Sequence, residues 1–199
     1  MVNFENDTAI IVVDVQNDFS EEGTLPVEGT KDLAKEIEAL LNKYKTMFKA
    51  IVFTRDWHPK DHPSFKENGG KWPKHCVQGT WGAGFVPPLD KFVKENRVLI
   101  IDKAMFNNDG YSAFEGTNLD HFLRYIGVNK IIVVGVASDY CVRATAIDAK
   151  NLGFEVELWA PFTRGVWIET DPESLRKELE DQGIKVIDNF KKIEKVKQR

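Results

Sequence analysis

Apolar and polar positions along the chain follow two alternating rhythms. Short, nearly continuous apolar runs rich in β-branched residues occur at 8–13, 50–54, 98–101, 131–136, 154–159 and 184–187. Runs of this length and composition suit strands buried on both faces of a parallel sheet. Between them the spacing becomes helical. Leu33, Ile37, Leu40, Leu41 and Tyr44 mark the inner face of a helix that starts at Thr30, read as its N-cap. Leu119, Phe122, Leu123 and Ile126 face inward from a capped helix over 117–126. A third helix begins near Asp139 and runs through Ala144, Ile147 and residues 149–152 to a stop at Gly153. A fourth runs from Asp171 or Pro172 to Gln182 and ends at Gly183. Strands alternating with helices in this way predict an α/β fold, three-layer αβα, around a mainly parallel six-stranded sheet.

The rhythm is lost over residues 55–88, which are rich in Gly, Pro, Trp and His. Irregular segments this long inside a compact domain are either functional or disordered. Trp57, Phe65, Trp72, Trp81 and Phe85 argue for order. Residues 20–29 and 104–116 read as further loops, and the basic tail 191–199 as a solvated end.

Length and charge narrow the partners. A chain of 199 residues is expected to form one domain over 1–199. Its net charge of −4 offers no footing for nucleic acid or an anionic membrane. The first seven residues lack a signal-peptide pattern, and no apolar run reaches membrane-spanning length. The two cysteines, Cys76 and Cys141, do not make a disulfide framework, so a reducing, cytoplasmic location is expected.

In an open parallel sheet, ligands bind beyond the carboxyl ends of the strands. Asp14 follows the first strand, Asp56 and His58 the second, Lys103 the third and Cys141 the fourth. Cys141 falls in the first turn of a helix, where the dipole and unpaired N–H groups favour thiolate over thiol. A buried cysteine acting as a small apolar residue is the alternative. A carboxylate beside a thiol can take its proton, and an ammonium stabilises the resulting anion. Asp14, Lys103 and Cys141 therefore read as one reactive unit. Asp56, His58 and His75 supply three N/O donors suited to Zn, Fe or Mn, with Ser64 and His62 nearby. No glycine-rich phosphate loop and no G-x-S-x-G elbow occurs, which counts against nucleotide binding and serine hydrolysis.

These residues stand in five motifs: Val13-Asp14-Val15-Gln16-Asn17-Asp18-Phe19, Thr54-Arg55-Asp56-Trp57-His58-Pro59, Trp72-Pro73-Lys74-His75-Cys76-Val77-Gln78-Gly79-Thr80, Tyr111-Ser112-Ala113-Phe114-Glu115-Gly116-Thr117, and the elbow 136–142. In this order they resemble the nicotinamidase/pyrazinamidase branch of the isochorismatase-like cysteine hydrolases. The resemblance implies that family's Rossmann-like hydrolase fold and hydrolysis of nicotinamide to nicotinate and ammonia, a step of NAD salvage. A related small-amide hydrolase, of pyrazinamide or N-carbamoyl type, is the alternative. The resemblance further implies a Cys141 nucleophile, Asp14 as base and Lys103 completing a triad. Asp56, His58 and His75 would hold one divalent metal, zinc before iron or manganese. Phe19, Trp72, Tyr111 and Ala137 would contact the substrate ring. The Val136–Ala137 peptide would be cis, and the N–H groups of Ala137 and Cys141 would form an oxyanion hole. Ser138 and Pro161-Phe162 depart from the usual pattern, the latter at the pocket rim or a subunit contact. A homo-oligomer is compatible with this reading.

Overall fold

The computed structural model describes residues 7–106 and 110–191; the expected tail lies outside these residues from Lys192 onward. Six strands form one sheet in the order β3-β2-β1-β4-β5-β6. They are β1 (Thr8–Val13), β2 (Ala50–Asp56), β3 (Leu99–Lys103), β4 (Lys130–Val136), β5 (Glu155–Arg164) and β6 (Lys185–Ile187). Every neighbouring pair is parallel.

All six residues of β1 are buried because both faces are covered. Ile10 and Val12 pack with Leu33, Ile37 and Leu41 of α1 (Thr30–Tyr44) and with Leu89 and Phe92 of α2 (Leu89–Glu95). Ala9, Ile11 and Val13 point the other way. They join Leu119 and Leu123 of α3 (Leu119–Tyr125), Ala146 and Ala149 of α4 (Arg143–Asn151), and Leu175 and Leu179 of α5 (Pro172–Asp181). At roughly 25 cal/mol per Å² of apolar surface, these two layers supply the main driving force for folding.

Several local expectations need correction. Gly29, at φ 82°, occupies the N-cap position of α1, and Thr30 instead donates its hydroxyl to the Val27 carbonyl at 2.7 Å. Strand β2 runs two residues beyond 54, which makes Asp56 its last residue. Residues 89–95 form α2, a short helix absent from the expected elements. Phe122 is 39% exposed because only Leu119 and Leu123 of α3 reach the core. Strand β5 extends to Arg164 and pairs irregularly: Val133 meets Leu158, but Gly135 meets Thr163. The chain accommodates the mismatch around Pro161-Phe162.

Of the two expected starts of α5, Pro172 is its first residue and Asp171 its N-cap, accepting the N–H groups of Glu173 and Ser174. The irregular stretch after β2 is ordered by short 3₁₀ turns, Lys66–Asn68 and Trp81–Ala83, and by bridges His58–Val77 and Phe65–Trp72. Phe65 and Phe85 are buried there, whereas Trp81 is exposed.

Candidate active site

The strand order reverses between β1 and β4, and the crevice beyond their carboxyl ends is where open α/β sheets bind ligands. Gly135 lets the two strands approach: a Cβ there, at φ 117°, would lie 2.2 Å from the Val13 carbonyl oxygen. Asp14 follows β1 at φ 48°, and the turn carrying Cys141 follows β4.

That turn is wider than the α-helical start expected. Residues Ser138–Val142 form a π-turn in which the Ala137 carbonyl accepts the N–H groups of both Tyr140 and Val142 at 3.1 Å. The Val136–Ala137 peptide is cis, as the family resemblance implied.

Lys103, the last residue of β3, joins the expected reactive unit. Its buried ammonium lies 2.8 Å from Asp14 Oδ2 and 2.5 Å from Asp56 Oδ1. It also lies 3.0 Å from the Gly110 carbonyl and 3.5 Å from Cys141 Sγ. Acid oxygens of Asp14 and Asp56 and the Cys141 sulfur fall within 4.8 Å of one another. Thr54 donates its hydroxyl to Asp14 Oδ1 at 2.7 Å and fixes that carboxylate.

Charge in this dry cluster is set by burial against Lys103. Burial raises Asp14 to about 6, Lys103 opposing it and Asp56 adding to it. Burial also pushes Asp56 up, but Lys103 and then the two imidazoles outweigh it and hold this carboxyl below its ordinary value. Burial lowers Lys103, yet the two carboxylates more than compensate and keep it charged. Cys141 corrects an expectation. Burial pushes its thiol well up, Lys103 only partly offsets this, and Asp14 and Asp56 add to the rise. The resting group is a thiol, because desolvation and the two carboxylates outweigh the Lys103 ammonium.

Asp56, His58 and His75 are all buried, and their donor atoms lie within 4.8 Å of one another. Burial lowers both imidazoles, His58 to about 4, with Asp56 opposing, so both are neutral at pH 7. His58 Nδ1 sits 3.1 Å from the His75 carbonyl, and His75 Nδ1 sits 2.7 Å from the Pro73 carbonyl. Neutral rings in those contacts carry the proton on Nδ1 and present the Nε2 lone pair. One carboxylate and two such nitrogens fit a divalent ion. Ser64 lines the same pocket, and its hydroxyl lies 2.7 Å from His62 Nδ1.

The pocket opens above these groups. Phe19, Trp72, Tyr111 and Ala137 line it as expected, together with Asp56, His58, His75 and Cys141. Trp72 Nε1 donates to the Tyr111 hydroxyl at 2.9 Å, which locks the two rings together. Phe19 tilts against His75 at 5.6 Å between centroids.

Other residues gave no chemical signal in the chain. Leu25, Pro26, Val27, Tyr140 and Val166 complete the lining. Gln16 is fully buried and clamps Asp56 from both sides. Its amide donates to the Asp56 carbonyl at 2.8 Å, and its Oε1 accepts the Asp56 N–H at 2.8 Å. Asp18 Oδ2 accepts the Cys76 N–H at 2.7 Å, beside His75. Gln16 and Asp18 stood in the first of the five motifs, at a strand exit dense in polar residues, but nothing there gave them a partner or a role.

Sheet topology and the strand-exit pocket define the class: an open, three-layer α/β protein with a buried Asp–Lys–Cys cluster beside a pocket at its strand exits. The isochorismatase domain signature matches residues 8–160, and the chain belongs to that family. It is 34% identical to a nicotinamidase of Saccharomyces cerevisiae over 90% of this chain and 98% of the relative. The pyrazinamidase of Pyrococcus horikoshii, solved in complex with zinc, superposes with TM-score 0.81 at 43% identity, covering 91% of this chain and 98% of that one. The yeast nicotinamidase bound to the inhibitor nicotinaldehyde superposes with TM-score 0.84 at 33% identity, covering 92% of this chain and 100% of that one.

Proposed function

We propose that this protein hydrolyses nicotinamide to nicotinate and ammonia, with Cys141 as nucleophile. One observation carries the reading: Cys141 lines an aromatic-walled pocket, and the buried Lys103 ammonium lies 3.5 Å from its sulfur and 2.8 Å from Asp14. The similarity to enzymes named for nicotinamide and pyrazinamide, one of them solved with nicotinaldehyde, supports the same substrate class here.

Asp14 takes the Cys141 proton as sulfur bonds to the carboxamide carbon. Negative charge then passes to the carbonyl oxygen, toward the N–H groups of Ala137 and Cys141. Lys103 keeps the carboxylate–thiol unit electrically balanced while the proton moves. The protonated Asp14 hands its proton to the amide nitrogen, the C–N bond breaks and ammonia leaves a thioester. Asp14 next deprotonates a water, whose oxygen attacks the thioester carbon. The C–S bond breaks, sulfur regains its proton from Asp14, and nicotinate is released.

Phe19, Trp72 and Tyr111 bind the ring faces. Asp56, His58 and His75 would hold the divalent ion, zinc before the iron or manganese that one carboxylate and two imidazoles also suit, and when bound it supplies a Lewis-acid partner for the pyridine nitrogen. The zinc in the Pyrococcus horikoshii pyrazinamidase supports that choice. Pyrazinamide, also a ring amide, suits the same walls; an N-carbamoyl substrate without a ring would leave them unfilled.

The same reading treats residues 1–199 as one catalytic domain in the cytoplasm. Both cysteines are free and buried, and no helix among the described residues is long and apolar enough to cross a membrane. Self-association is compatible with it, and sedimentation of the pure protein decides the oligomeric state. The deciding experiment for function incubates metal-replete protein with nicotinamide and measures ammonia and nicotinate. Equimolar formation of both is expected, and absence of turnover overturns the reading.

A further inference from the structure

Asp139 lies in the π-turn two residues before Cys141, and its carboxylate turns away from the thiol. Asp139 Oδ1 accepts the Val166 N–H at 2.9 Å, and Oδ2 accepts the Trp167 N–H at 2.7 Å. The carboxylate is thus spent on two consecutive amides of the segment that follows β5, and the residue is 7% exposed. That segment cannot hold its shape by regular structure. Trp167 has φ 56°, and Gly165 is packed so tightly that a Cβ would lie 2.4 Å from the Trp167 ring. The Trp167 ring is anchored edge-on against Phe190, 5.4 Å away. Between these anchors Val166 lines the pocket, as do Leu25 and Phe19.

We propose that Asp139 is a positioning residue that sets the Val166 wall, and with it the size of ring amide the pocket accepts. This rests on the reading of the pocket as a nicotinamide site. Charge-assisted bonds from a buried carboxylate to two adjacent N–H groups fix both the distance and the tilt of the wall. The assignment separates two duties carried by one turn: Cys141 faces the reaction, while Asp139 shapes the cavity around the ring.

The test is Asp139→Asn, which replaces one acceptor oxygen with a donor that cannot pair with an N–H. Its KM for nicotinamide is expected to rise about tenfold with kcat nearly unchanged, as for loss of a charge-assisted bond. The rate at which iodoacetamide alkylates Cys141 should stay at the wild-type value. Amide hydrogen exchange at Val166 and Trp167 should accelerate. A fall in kcat with unchanged KM and slower alkylation would overturn the proposal, since Asp139 would then act on the thiol-bearing turn. Unchanged exchange at Val166 and Trp167 would overturn it equally. Val166→Ala probes the wall without touching Asp139, and should raise kcat/KM for 5-methylnicotinamide relative to nicotinamide. Unaltered selectivity in that variant refutes the wall itself, even if Asp139→Asn does not fold. Wild-type protein inert toward nicotinamide would reject the substrate reading alone, because the exchange measurement still decides what Asp139 holds.

Discussion

The Lys103 ammonium and the Asp14 carboxylate form an ion pair 2.8 Å long with neither side chain exposed to solvent. Such a pair contributes little net stability, but removing one partner strands the other charge in a dry interior. Lys103 also faces Asp56, so its loss would strand two carboxylates. Lys103→Met should lower stability by about 3–5 kcal/mol, measured by urea unfolding, and abolish turnover. A variant as stable as wild type would show that the carboxylates are already neutral in the folded protein.

The pH dependence follows from Asp14, raised by burial to about 6. A base works only when ionised, so activity is expected above this value and not below it. On the acid side, kcat/KM should fall about tenfold per pH unit once the pH drops below 6. Because the thiol is pushed well up, its ionisation should add no rise in rate between pH 7 and 8. A kcat/KM profile flat from pH 4.5 to 8 would exclude Asp14 as the base.

Cys141→Ala should eliminate turnover while leaving the thermal transition nearly in place, since the side chain removed is one sulfur. Residual activity within about a hundredfold of wild type would reassign the nucleophile. Cys76 is the contrasting case. Its sulfur is fully buried and 3.9 Å from the Gly82 carbonyl, outside the pocket lining. Cys76→Ser should keep turnover and cost about 1–2 kcal/mol for burying a hydroxyl.

Chelation, followed by calorimetric titration with nicotinamide, probes the Asp56, His58 and His75 donors. Substrate binding should weaken strongly, and unchanged affinity in stripped protein would rule out ring contact with a bound ion. Gln16→Ala removes both bonds that hold the Asp56 backbone. It should weaken metal affinity about 10–100-fold, read by competition with a chromogenic chelator. An unaltered affinity would show that β2 alone holds Asp56.

The alternation of β-branched runs with 3.6-residue periodicity determined the six strands, and four of the five helices, from sequence alone. The site residues were legible for a related reason: Asp14, Asp56, Lys103 and Cys141 occur at or just after strand ends, and parallel strands bring their exits to one edge. Reactive side chains announce themselves by type, whereas Gln16, Asp139 and Val166 act through backbone groups far along the chain, and no local pattern records such a partner. The short helix α2 and the end of β5 escaped for the same reason, being shaped by packing and by a shifted register beside Pro161-Phe162. The opening turn of the Cys141 segment shows the division most clearly. Sequence placed a thiol at a helix start and predicted a thiolate. Only the folded interior, by enclosing that sulfur with Asp14 and Asp56, decided that it rests protonated and that a carboxylate stands ready to take its proton.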